Sequence, residues 1–191
     1  MQEERRTAIS SNTRLGVFFG HKKSRDRHYA RFEFYLGSPG ELIQPRTISG
    51  ITPHHTEYVV FGPGFQLHPV KTQTVPLAYR APLQQHASSS PTGRVGHVTA
   101  VIQNGRVMLR MYFPKDNLTI PVPRLGYFLE SLVLTHLKKN LAVTHISSNV
   151  ESSIDRERQL RAVGLELGVD YPINTWLRRL GAGIRKQTQA T

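Results

Sequence analysis

Asn104-Gly105 sits between two apolar, alternating runs, Val95 to Ile102 and Arg106 to Phe113. Both residues of an Asn-Gly pair accept a positive φ, which a two-residue hairpin turn of the right twist demands. The pair therefore commits the middle of the chain to an antiparallel hairpin. On its second strand Val107, Leu109 and Met111 share one face, while Arg106, Met108, Arg110 and Tyr112 share the other. Pro114 has no N–H for a ladder and ends the strand.

A second hairpin is expected upstream. Arg14 to Phe19 reads as a short strand. Tyr29 to Tyr35 alternates, with Tyr29, Arg31, Glu33 and Tyr35 against Ala30, Phe32 and Phe34. The basic stretch from His21 to His28 is the expected loop at the tip. Gly37 to Gly40 makes a turn around Pro39. Glu57 to Phe61 reads as a third strand, closed by Gly62-Pro63-Gly64. Val75 to Tyr79 reads as an edge strand with Pro76 near its start. Residues 84–93, with Ser88-Ser89-Ser90-Pro91, read as a flexible internal linker, the one point where the chain would divide.

Helical spacing then takes over. Leu125, Phe128, Leu129, Leu132 and Leu137 predict a helix from Pro123 to Asn140, with Lys138 and Lys139 at its negative end. Leu141 to Ile146 reads as a buried strand. Ser152 or Ser153 caps a helix reaching Val163, and Gly164 stops it. A last helix follows Pro172, with Ile173, Trp176, Leu177 and Leu180 on one stripe and Gly181 and Gly183 as its limit. The order of elements gives an α+β fold. Its largely antiparallel sheet of five to seven strands comes from residues 14–113, and helices of the C-terminal half cover one face. The sheet becomes mixed if Leu141 to Ile146 returns as a parallel strand. One domain is expected over residues 13–186, with residues 1–12 and 187–191 as disordered tails.

Composition narrows the function. The chain has no cysteine, which removes disulfides, thiolate ligands and thiol nucleophiles. The apolar segment from Leu125 to Leu137 is too short and too polar to span a bilayer, and Met1 to Arg6 lacks the apolar core of a signal peptide. No membrane association is expected. An intracellular place follows, in the cytoplasm or with the nucleoid or nucleus. No glycine-rich phosphate loop, dinucleotide fingerprint or Gly-x-Ser-x-Gly elbow occurs, so no cofactor is expected. The nine histidines, among them His54-His55 and His68, lack metal-site spacing, and no metal is expected either.

Charge carries the remaining signal. Twenty-five Lys and Arg against 13 Asp and Glu give a net charge of +12. A field of that sign attracts polyanions, and nucleic acid, DNA or RNA, is the expected partner. The expected contacts are phosphate contacts from separate segments. Lys22, Lys23, Arg25, Arg27 and Arg31 lie in and beside the first hairpin loop. Arg94, Arg106 and Arg110 lie on the Asn-Gly hairpin. Arg178 and Arg179 lie on the last helix, with Arg185 and Lys186 beyond them. Tyr29 and Phe34 are near enough to stack on bases if they are exposed. The tail does not fit a helix-turn-helix, because Gly164 breaks its first helix early and Pro172 falls where a recognition helix would run.

Two other readings stand beside binding without catalysis. One is a histidine-dependent nuclease using His21, His28 or His55, with Lys22 or Arg27 stabilising charge on the phosphate. The other is a basic structural or assembly subunit of a particle or ribonucleoprotein, a homo-oligomer joined through sheet edges.

Overall fold

The structure, a computed structural model, describes residues 12–48, 61, 64–88, 92–112, 125–148 and 154–189. At the centre is a long hairpin of β1 (Arg14–Ser24) and β2 (Arg27–Gly37). The strands pair antiparallel throughout, from Arg14 opposite Gly37 to Ser24 opposite Arg27. Only Arg25 and Asp26 turn, with Arg25 at φ 54°. His21 to His28 is thus mostly paired strand rather than the expected loop. Pairing belongs to the backbone, and exposed cations on either face do not oppose it.

The Asn-Gly hairpin forms as expected from β5 (Arg94–Gln103) and β6 (Arg106–Tyr112), with Asn104 at φ 51° and Gly105 at φ 73°. β5 pairs antiparallel with β2, so the two hairpins fuse side by side. On the other side of β1 lie β4 (Gln66–Thr74) and the two-residue β3 (Arg46–Thr47). The strand expected at Glu57 to Phe61 falls outside the described residues, except for Phe61. Val75 to Tyr79 is not an edge strand. A helix, α1 (Leu77–Ser88), begins there and takes in Gln84 to Ser88, expected as linker. Pro76 precedes the helix and its carbonyl accepts the Tyr79 N–H at 2.9 Å. Tyr79 and Leu83 are buried as α1 packs on β5 and β2.

The C-terminal half supplies α2 (Leu125–Asn140), β7 (His145–Ser147), α3 (Ile154–Ala162), β8 (Asp170–Pro172) and α4 (Ile173–Thr188). β7 lies parallel to β6, so of the two alternatives the mixed sheet forms, with a strand shorter than Leu141 to Ile146 and shifted from it. The sheet therefore has eight strands, in the order β3-β4-β1-β2-β5-β6-β7-β8, antiparallel except at β6–β7. The fold is α+β, a mostly antiparallel sheet from the N-terminal part with mostly C-terminal helices. No helix among the described residues is long and apolar enough to cross a membrane.

One face of the sheet meets the helices. Leu15, Val17, Phe32 and Phe34 join Leu129, Leu134, Trp176 and Leu180 in one buried core. α2 and α4 run antiparallel. Lys138 Nζ donates to Asn174 Oδ1 at 2.7 Å at one end, and Gly183 meets Tyr127 at the other. Between them the buried Glu130 carboxylate accepts from the Trp176 indole at 2.9 Å and from Arg156 at 2.8 Å. α4 continues through Gly181 and Gly183, where the sequence suggested a stop. A Cβ at Gly183 would lie 2.8 Å from Val163 Cγ1, so this glycine permits close packing instead of ending the helix.

The second face is only partly covered. Phe18, Tyr35, Leu42, Ile48, Phe61 and Leu67 form a smaller buried cluster over β1, β2 and β4. Over β6 no described residue covers the same face, and Met108 and Arg110 are exposed.

Candidate nucleic-acid interface

The tight β1–β2 turn concentrates charge. Lys22, Lys23, Arg25 and Arg27 are all exposed within a few residues of the tip. Pairing of β2 with β5 sets Arg27 opposite Gln103, and this brings the Asn-Gly turn beside the first one. The Gln103 amide donates to the Asp26 carboxylate and ties the two turns together. Parallel pairing then starts at the same level, with Arg106 opposite His145. The Gly105 carbonyl accepts the Thr144 N–H at 2.8 Å.

That register also fixes where α2 ends. Four residues connect Asn140 to His145, so the α2 C-terminus must lie at this same end of the sheet. Lys138 and Lys139 are exposed there. Lys22, Lys23, Arg25, Arg27, Arg106, Lys138 and Lys139, seven cations from three separate segments, thus gather at one end of the fold. Among the described residues, two carboxylates accompany them. Asp26 is held by Gln103, and Asp170 pairs with Arg106 at 3.4 Å. Both members of that pair are well solvated, which leaves it weak.

Histidines line the helix side of this end. His21 and His28 stack at 6.1 Å between ring centroids. His136 on α2 lies against Phe19 at 4.5 Å and Phe32 at 5.5 Å. Burial, then the nearby His21 and Lys139, hold the His136 ring below the ordinary histidine pKa. Two of the three candidate histidines, His21 and His28, thus lie together, with His136 close by. His55 lies outside the described residues. No group of three His, Asp or Glu among the described residues is placed to hold a metal ion.

Several expected contacts lie elsewhere. Arg31 is 1 % exposed and is not at the surface. Its guanidinium donates to Glu33 Oε1 at 3.0 and 2.7 Å, within the covered part of the second face. Arg94 is part-buried at the opposite end of β5 and donates to the same oxygen at 3.1 Å. Arg110 is exposed on the open face. Arg178 is exposed partway along α4, while Arg179 donates to the Gly164 carbonyl and lies over the Tyr171 ring. Arg185 and Lys186 stand near the far end of α4, by the start of α2. Phe34 is fully buried, whereas Tyr29 is half-buried. Lys138 and Lys139 were legible only as helix-end charges, since their spatial company depends on the β6–α2–β7 crossover.

No protein-family model, curated protein or solved structure matches this chain.

Proposed function

We propose that the basic end of the sheet binds nucleic acid by contacting its phosphate backbone. The observation that carries this reading is the convergence of seven cations from three segments distant in sequence. Two turns and a helix end expose them together with little opposing charge. Such a surface concentrates phosphates without reading sequence.

Fluorescence anisotropy with labelled DNA and RNA, titrated at several salt concentrations, tests it. Binding should weaken steeply with salt, because each neutralised phosphate releases counterions. Replacing Lys23 and Arg25 together with Ala should lower the slope of log affinity against log salt by about two, since each lost phosphate contact lowers it by about one. Replacing Arg185 and Lys186 should leave the slope unchanged. No binding at low salt rejects the proposal.

The stacked pair of His21 and His28 beside these cations favours a second reading, cleavage of RNA. One imidazole would take the 2′-hydroxyl proton while the other gave a proton to the departing 5′ oxygen. The new 2′-oxygen–phosphorus bond would replace the broken one and leave a cyclic phosphate. Incubation with RNA in chelator, followed by assay for cyclic phosphate ends, decides it.

A further inference from the structure

We infer that the open face of the sheet beside the basic end is a platform for single-stranded nucleic acid, with an unstacked base lying against Tyr29. The inference rests on the phosphate-binding reading of the basic end.

Strand register lays out this face in rows, since paired residues share a side. The outermost row runs Ser24, Arg27, Gln103, Arg106. The next runs Lys22, Tyr29, Val101, Met108. The third runs Gly20, Arg31, Thr99, Arg110. An apolar strip of Tyr29, Val101 and Met108 thus lies between exposed arginines. Arg27 and Arg106 are on one side of it and Arg110 is on the other. Rows two residues apart along a strand are separated by about 7 Å, and neighbouring strands by about 4.8 Å. The strip is therefore as wide as a base, with cations at the range of the attached phosphates.

Exposure agrees with this use. Met108 leaves 38 % of its surface open. Tyr29 and Val101 are half-buried. Ser24, Arg25, Asp26, Arg27 and Tyr29 line an open recess of about 410 Å³ at the tip. An aromatic wall, two guanidinium groups and one carboxylate acceptor suit a splayed nucleotide, whose base stacks while its edge donates. In a duplex the bases are already stacked and paired, so the same strip meets only backbone. Ligand choice should therefore turn on Tyr29, and overall affinity on the cations.

The experiment compares a labelled single-stranded 12-mer with its blunt duplex, in RNA and DNA, at one moderate salt concentration. Wild type, Tyr29→Leu, Tyr29→Phe, Met108→Ala and the double Lys23→Ala, Arg25→Ala variant are titrated with each. Circular dichroism and a melt check that each variant is folded. Wild type should prefer the single strand. Tyr29→Leu keeps an apolar group in place and should lose roughly 5- to 150-fold in single-strand affinity, the range for one stacked base, with duplex binding unchanged. Tyr29→Phe should retain the preference, and Met108→Ala should lose part of it. The double cation variant should weaken both ligands alike. Equal losses for single strand and duplex in Tyr29→Leu, or no loss in either, overturn the platform while leaving the basic end intact. A wild-type protein that binds neither ligand overturns the basic-end reading and the platform with it. A sedimenting mass of two chains that Met108→Asp returns to one assigns the face to a second copy and also overturns the inference.

Discussion

Arg31 and Glu33, two residues apart on β2, form an ion pair with both side chains 2 % exposed. Tyr35 donates to the other Glu33 oxygen at 2.5 Å, and Arg94 to the same oxygen as Arg31. Burial first, then the Glu33 charge, push the Tyr35 hydroxyl pKa well above the ordinary phenol range. The group is a structural network inside the covered part of the second face. Removing one member of a buried pair strands the other, at a cost of about 3–5 kcal/mol. Arg31→Ala and Glu33→Ala should each lose stability of that order in urea melts. The double variant Arg31→Met, Glu33→Leu should recover only part of the loss, because the Tyr35 hydroxyl and Arg94 still lose their Glu33 acceptor. In salt titrations with nucleic acid, folded Arg31→Met, Glu33→Leu protein should keep the wild-type slope. A reduced slope would return Arg31 to the phosphate-contact surface.

This pair also shows where the sequence misleads. The alternation over 29–35 correctly divides β2 into two faces. It reads the face with Arg31 and Glu33 as the wet one, because isolated charges are almost never buried. Each charge is buried because the other is there, and a linear pattern does not display that pairing in depth. The Asn-Gly hairpin was legible because its turn chemistry is local. α1 was not, since Pro76 and Pro82 mask a helix whose start and interior lie close to prolines. Gly183 was read as a terminator because its real constraint, the side of Tyr127, is far away in sequence. The basic end was half legible. Its hairpin cations stand together in sequence, while Lys138 and Lys139 join them only through the crossover.

Gly183 gives a packing prediction of determinate sign. In an exposed helix, Gly→Ala gains about 1 kcal/mol. Here the added methyl would lie 2.8 Å from Val163 Cγ1 and 3.1 Å from two ring carbons of Tyr127. Val163 follows α3 and is stiff at χ1, so the helices must separate. Overpacking of this kind costs about 1–3 kcal/mol, which outweighs the propensity gain. Gly183→Ala should therefore be destabilised by about 1 kcal/mol in chemical denaturation. Adding Val163→Ala should relieve the shortest contact and make the pair of substitutions less destabilising than the sum of the two. A Gly183→Ala protein more stable than wild type would mean that α4 does not approach α2 this closely.

His136 makes folding pH-dependent. Its ring packs on Phe19 and Phe32, with His21 of β1 and Lys139 of its own helix as the charged or titratable groups that shift it. His28 of β2 stacks on His21 from the next strand. The His136 Nε2 is buried without a hydrogen-bond partner among the described residues. Burial first, then His21 and Lys139, disfavour the imidazolium, so the folded pKa lies below the unfolded value of about 6.5. Between those two values the unfolded chain binds more protons than the folded one, and stability must rise with pH there. The His136 contribution is therefore complete above pH 6.5 and is lost progressively as pH falls below it, until the folded pKa is reached. His136→Phe keeps an aromatic ring against Phe19 and Phe32 and removes the titration. Urea midpoints at pH 7.5 and 5.5 should fall more for wild type than for this variant. Equal falls in the two proteins would show that His136 is freely protonated in the folded chain and that the ring does not sit against the two phenylalanines.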